Sequence, residues 1–171
     1  NCYYDLLLPA RAAGCYEELL KHFTKGPLQK EARYFLDHMM RADSIEPQRH
    51  VIANFPNTIA RKDYCGPASL ANLLGFWGKW HDQKNIGAKL FRDGVSNWKM
   101  VEFPRSLGFF SFAFIGSIDL IKQLVQMEVP VLVDEYEGLD GHYLVITGYD
   151  DRKGVLIAQD PNFMEPVEIT Y

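Results

Sequence analysis

Apolar positions change period twice along the chain. Over roughly the first forty residues they recur at helical spacing. Tyr16, Leu19, Leu20 and Phe23 share one face, Thr24-Lys25-Gly26-Pro27 breaks it, and Leu28, Ala32, Phe35, Leu36 and Met39 resume it. The pattern predicts a helical hairpin over residues 1–48. Ser44-Ile45-Glu46-Pro47-Gln48 reads as a connector, and residues 51–56 suit a strand or an extended lead-in. A helix is then predicted from Cys65, because Pro67 fits a first turn where its missing N–H costs nothing. Leu70, Leu73, Leu74 and Trp77 follow on one face, and Gly75 and Gly78 weaken and end it. Residues 85–91 and 97–107 carry mixed helical signals, with Asp93-Gly94 between them. Residues 109–114 alternate rings with small residues, which predicts a strand. Ser117 caps a helix over 118–127, whose stripe is Leu120, Ile121, Leu124 and Val125.

From residue 130 onward the chain reads as β. Residues 130–136, 143–149 and 155–159 are three strand candidates, separated by Gly138-Leu139-Asp140-Gly141 and by Asp150-Asp151-Arg152-Lys153-Gly154, and residues 167–171 alternate again. A helical front and an antiparallel back imply an α+β domain over residues 49–171. The preceding hairpin cannot bury its apolar sides alone. It reads equally as an extension docked on the main domain or as one unit of a tetratricopeptide-type array, and in either form it is a candidate contact for a protein partner.

Composition narrows the function classes. A chain of 171 residues with 47% hydrophobic content is sufficient for one well-buried domain and a small appendage. A net charge of −4 leaves no basic stripe for nucleic acid. No apolar run approaches the roughly 20 residues of a membrane span. Ala12-Ala13-Gly14-Cys15 faintly resembles a bacterial lipoprotein cleavage site, but Asp5, Pro9 and Arg11 interrupt the apolar region before it, so it reads as chance and no compartment is assigned. Cys2, Cys15 and Cys65 are odd in number and lack CxxC spacing, which argues against a disulfide framework and a cysteine zinc site. His22, His38 and His50 show no paired-ligand spacing, so neither a metal nor another cofactor is implied. His81-Asp82 reads as a solvated loop. So do Asp134, Glu135, Glu137 and Asp140, with an acidic rim favouring basic peptides as the sharper alternative. The aromatics at 77, 80, 109, 110, 112 and 114 read first as core and second as the lining of a cleft.

Chemistry concentrates at three places. Cys65, in Asp63-Tyr64-Cys65-Gly66-Pro67-Ala68-Ser69-Leu70, stands where unpaired helix N–H groups and the positive dipole end favour a thiolate. Gly141-His142-Tyr143 opens one strand, and Gln159-Asp160-Pro161-Asn162 closes the next. If those strands form a hairpin across residues 150–154, paired positions sum to about 304, with a slip of one or two residues. His142 then lies opposite a point between Asp160 and Asn162, and an even sum puts His142 and Asp160 on one face. A carboxylate there would orient the imidazole, fix its tautomer and favour the imidazolium, which would hold Cys65 as a thiolate.

With Pro130-Val131-Leu132-Val133 and Gly-His-Tyr-Leu-Val-Ile-Thr-Gly-Tyr-Asp over 141–150, these motifs resemble, in order, the papain-like cysteine peptidases related to bacteriocin-leader, or double-glycine, processing domains. The resemblance spans residues 51–163. It implies a papain-like fold, with a nucleophile at a helix N-terminus packed on an antiparallel sheet, and a peptide or protein substrate. It further implies Cys65 as nucleophile, His142 as general base and then acid, Asp160 as its orienting partner, and a thioester that water hydrolyses. An amine in place of water would make the same site an acyltransferase. One position departs from the family pattern: the glutamine that supplies half the oxyanion hole stands five or six residues before the cysteine, where this chain has Ala60 and Ile59. Asn57 and Thr58 are the candidate substitutes. Without a donor there, the site would be a catalytically impaired peptide-binding module.

Overall fold

A computed structural model describes residues 9–22, 29, 32, 33, 36, 48–91, 97–137 and 140–171. Its elements are α1 (Pro9–His22), β1 (Arg49–Val51), α2 (Cys65–Phe76), α3 (Gln83–Leu90), α4 (Asn97–Ser106), α5 (Ile118–Gln126), β2 (Val131–Glu137), β3 (Asp140–Asp150), β4 (Val155–Gln159) and β5 (Val167–Thr170). Of the expected hairpin, α1 is a helix, and Gln29, Ala32, Arg33 and Leu36 are helical as well. The break at 24–27, the rest of the second helix, residues 44–47, Cys2, Asp93-Gly94 and Gly138-Leu139 lie outside the described residues.

The sheet is antiparallel and built around β3. β2 pairs with its first part, from Val131 opposite Ile146 to Glu137 opposite Asp140, and β1 continues along the same edge opposite residues 148–150. β4 takes the other edge, and β5 pairs with β4. The β3–β4 register is not uniform. Tyr149 stands opposite Leu156, whereas Ile146 stands opposite Ala158 and Val145 opposite Gln159, so Thr147 is the extra residue of a β-bulge. Across that bulge the paired sum drops by one and becomes even, which gives His142 and Asp160 the same facing. The bulge also fixes a glycine. A Cβ on Gly148 would lie 2.8 Å from the His50 carbonyl oxygen, so β1 can approach only over a residue without one.

Because side chains alternate, Leu144 and Tyr143 face opposite ways and the sheet separates two apolar clusters. One joins Leu144, Ile146, Tyr149, Leu156 and Ala158 to Ile52 and Val125, with Ile118, Ile121 and Leu124 of α5 packed against it. The other joins Tyr143 to Leu70, Leu74, Ile86, Leu90 and Met100 of α2, α3 and α4. Each fully buried leucine contributes roughly 2 kcal/mol. Helix α2 is buried around most of its circumference, including Ser69 and Asn72, rather than along one apolar face. Those two polar groups are tolerated because both are hydrogen-bonded: Ser69 Oγ donates to Tyr143 O (2.9 Å), and Asn72 Oδ1 accepts from Thr58 N (2.9 Å).

Several local expectations need correction. Residues 109–114 form no strand. Phe110, Phe112 and Phe114 do stack in sequence, with centroids 5.4 and 5.6 Å apart, so the alternation is present while no ladder partner is. Strand β1 is confined to Arg49–Val51, and the rest of 51–56 is irregular. Asp82 is a helix cap that accepts from Lys84 N (2.8 Å), not a bare loop residue. His50 belongs to β1 and bonds Glu128 through Nε2 (2.9 Å). Asp134 and Glu135 are strand residues of β2. The Ser117 cap is as expected, accepting from Leu120 N (3.2 Å).

The 150–154 turn is tied by charge. Asp150, 2% exposed, accepts two hydrogen bonds from the Arg152 guanidinium (2.7 and 3.0 Å) and one from Arg152 N (3.1 Å). These bonds, led by the guanidinium, hold its carboxyl below the ordinary aspartate range and raise Arg152. Burial would raise Asp151, but hydrogen bonds from Lys122 Nζ (2.8 Å) and Tyr171 Oη (2.5 Å) outweigh it and leave that carboxyl lowered. Burial and the Asp151 carboxylate together push the Tyr171 phenol upward.

Candidate active site

Cys65 is the first residue of α2, and the chain reaches it through a tight reversal. Tyr64 N donates to Arg61 O (2.9 Å), and Asp63 takes a positive φ of 62°, a conformation aspartate tolerates better than most residues. No side chain caps this helix start. Its first intrahelical bond runs from Ala68 N to Tyr64 O (2.9 Å), Pro67 has no N–H, and the Cys65 and Gly66 amides precede any intrahelical acceptor. The thiol is free and half-buried at the edge of the α2–α4 cluster.

Packing against β3 sets where this helix start lies. A Cβ on Gly66 would sit 3.1 Å from Tyr143 Cδ2, so a larger residue there would have to displace the ring or the helix. One turn on, Ser69 Oγ holds the Tyr143 carbonyl. The residues flanking Cys65 therefore abut the residue that follows His142.

On the strand side, His142 Nε2 lies 3.0 Å from Asp160 Oδ1, with side-chain exposures of 24% and 11%. Asp160 Oδ1 also accepts from Asn162 N (2.8 Å), which fixes the carboxylate in the turn after β4. An ionised carboxylate only accepts, so Nε2 donates to it, and in a neutral ring Nδ1 is then the acceptor nitrogen.

The oxyanion candidates are placed differently. Asn57 Nδ2 donates to Phe163 O (3.0 Å) and Met164 O (2.6 Å), pinning the lead-in to the loop after Asp160, while its Oδ1 is buried and unpartnered among the described residues. Thr58 N is held by Asn72. Ala60 N donates to Pro161 O (2.7 Å). Gln83, which the sequence pattern did not single out, clamps the same segment: its Nε2 donates to Ile59 O (2.9 Å) and its Oε1 accepts from Arg61 N (3.0 Å). Its only signal in the sequence was an amide just inside a helix start.

An apolar cavity of about 840 Å³ adjoins this constellation without including Cys65, His142 or Asp160 in its wall. Consecutive residues 129–134 line it from β2 and its approach, with Leu73 and Met100 facing them, Tyr16 of α1 contributing, and Asn97, Asp134 and Tyr143 as polar wall. Among the described residues no group of His, Cys, Asp and Glu could hold a metal ion. No described helix is long and apolar enough to cross a membrane.

Comparison with known proteins agrees with this architecture. The fold is similar to the crystal structure of the peptidase domain of Streptococcus ComA, a bi-functional ABC transporter involved in a quorum-sensing pathway. The TM-score is 0.55 at 21% sequence identity, covering 67% of this chain and 84% of that one. No curated protein matches the sequence. The mixed helical and antiparallel structure is thus a papain-like fold, with the cysteine-bearing helix against the sheet. The model of the Peptidase_C39 like family, a family of cysteine peptidases, matches residues 44–171. The chain belongs to the Peptidase_C39 like family.

Proposed function

We propose that the protein hydrolyses a peptide bond through Cys65, His142 and Asp160. The observation that carries this reading is the His142 Nε2 to Asp160 Oδ1 bond of 3.0 Å on the strand that abuts the start of α2. It leaves Nδ1 to take the Cys65 proton. The thiolate attacks the scissile carbonyl, the imidazolium protonates the leaving amine, and water, deprotonated by the same nitrogen, resolves the thioester. The Cys65 and Gly66 amides are the main-chain donors for the oxyanion. No catalytic metal or cofactor enters this scheme, and the residues 49–171 act as the peptidase domain.

A second reading is a peptide-binding module with little turnover. Its motivation is specific: Ile59 and Ala60 offer no side-chain donor, and the Asn57 amide is committed to Phe163 and Met164. Losing one oxyanion donor costs about 10² to 10³ in rate. Thr58 is then the remaining side-chain candidate in this lead-in.

Iodoacetamide labelling of Cys65 near neutral pH, with a fluorogenic peptide assay alongside, separates these readings. Rapid labelling that slows in His142→Ala, with turnover of the peptide, is the expected result. Labelling equally slow in both proteins would remove the thiolate pair, whereas fast labelling without turnover would favour the binding module. Transfer products formed with an added amine would assign acyl transfer instead.

A further inference from the structure

The sheet has two open edges, and they differ. The strand at one of them, β5, bears Glu168, exposed and ion-paired with Lys153, and such charges discourage a further strand. At the other, β2 pairs with β3 alone, so every second residue turns its N–H and C=O away from β3. Over residues 131–134 those outward groups have no hydrogen-bond partner among the described residues. The cavity of about 840 Å³ lies against this same stretch. Residues 131–134 all line it, although successive side chains face opposite ways. Leu70, Leu73 and Met100 bound it from the layer of α2 and α4, and Ile121 and Leu124 of α5 bound it from the other layer. A space that touches both layers lies beyond the edge of the sheet, not over one of its faces. Residues 109–114 complete the wall, running from Phe109, packed on one cluster, to Phe114, packed on the other.

We infer that the cavity receives an extended segment of the peptide substrate, added to the sheet as a strand on the outer edge of β2. Two kinds of unmet contact identify this occupant. Main-chain groups left unpaired in a row along an edge are satisfied by another extended backbone. The side chains of that backbone alternate, meeting apolar residues of α2 and α4 on one side and of α5 on the other. The segment selected is therefore a run of consecutive apolar residues, as in a strand buried on both faces. A helical occupant would leave the β2 groups unpaired, since its own N–H and C=O groups bond internally. Glu135 stands opposite His142, and an added strand is two strand spacings, about 10 Å, from β3. Roughly three extended residues span that distance, so this contact selects substrate sequence at a remove from the scissile bond. That the peptide is a substrate rests on the peptidase reading; strand addition rests on the edge and the cavity.

The test uses Cys65→Ala protein, so that binding is read without turnover. Isothermal titration is made with the acetylated and amidated peptide Lys-Ser-Val-Leu-Val-Leu-Ser-Lys and with a control in which serine replaces all four apolar residues. The apolar peptide should bind about tenfold more tightly or better. N-methylation then separates main-chain pairing from side-chain burial. Methyl groups on both valine nitrogens, or on both leucine nitrogens, remove alternate donors and leave every side chain in place. One of these two peptides should bind about tenfold more weakly and the other nearly as well as the unmethylated one, because only alternate residues face β2. Hydrogen exchange at the outward amides of residues 131–134 should slow when the unmethylated peptide is added. Binding no better than that of the serine control, equal weakening by both methylated pairs, weakening by neither, or no slowing over 131–134 would overturn the proposal. Outward amides already protected without peptide would overturn it too, and would assign the edge to a second copy or to another segment of the chain. Since the thiol is absent throughout, failure here is independent of the iodoacetamide and turnover results.

Discussion

The strand half of the candidate site and the helix half are held by different kinds of contact. His142 and Asp160 lie eighteen positions apart on one hairpin, and a single hydrogen bond joins them. Strand register, the Thr147 bulge and the turn after β4 set their geometry, all within one stretch of chain. Cys65 instead depends on distant partners. The lead-in to it is tied to Phe163 and Met164 through Asn57, to Pro161 through Ala60, and to Gln83 through Ile59 and Arg61, while Ser69 and Gly66 seat the helix on Tyr143. The His142 ring is thus oriented locally and the Cys65 thiol is positioned by tertiary packing. Misalignment should arise more readily on the helix side, since several separated contacts must hold together there.

Substitutions at three positions bring out this difference. Asp160→Ala strikes the local half. It frees the His142 ring and leaves Asn162 N without its acceptor, and kcat/KM on a fluorogenic peptide should fall about a hundredfold. Asp160→Asn, which keeps an acceptor oxygen without the charge, should lose less. If Asp160→Ala were as active as the parent, the hairpin bond would have no role in orienting the ring.

Ser69→Ala strikes the distant half without touching the reacting groups. The Tyr143 carbonyl loses a buried donor, which should lower stability by about 1 kcal/mol in denaturant titration. The expected kinetic effect is a kcat reduced roughly tenfold with KM little changed, since a small displacement of the thiol affects attack more than binding. An unchanged kcat would mean that the Gly66 contact alone seats the helix.

The smallest effect is expected from acid, and it should fall on the hairpin. Asp150 and Asp151 have carboxyls lowered in the folded protein, so they stabilise it above the unfolded aspartate range, near 4. That stabilisation is lost as the pH falls through their folded values. Asp150→Asn should therefore flatten part of the decline in melting temperature below about pH 4. A decline as steep as the parent's would place the acid sensitivity elsewhere.

Much of this arrangement was legible in the sequence because it rests on short-range rules. The Cys65 helix start, the Ser117 cap and strands β2 to β4 follow from Pro placement, capping chemistry and alternation. The facing of His142 and Asp160 followed from hairpin arithmetic, yet only within a slip of one or two residues. The alternation over 109–114 was a misleading signal, since a ring ladder can stack without any strand beside it.

What the sequence determined by itself was the set of groups and their order: a cysteine at a helix start, then a histidine on one strand and an aspartate just past the end of the next. Tertiary structure decided their parity and their surroundings. The bulge at Thr147 supplied the even register, because an extra unpaired residue reverses the facing of everything beyond it. The engagement of Asn57 was also invisible beforehand, since a polar side chain's partner is chosen by whichever distant backbone or side chain folds within reach of it.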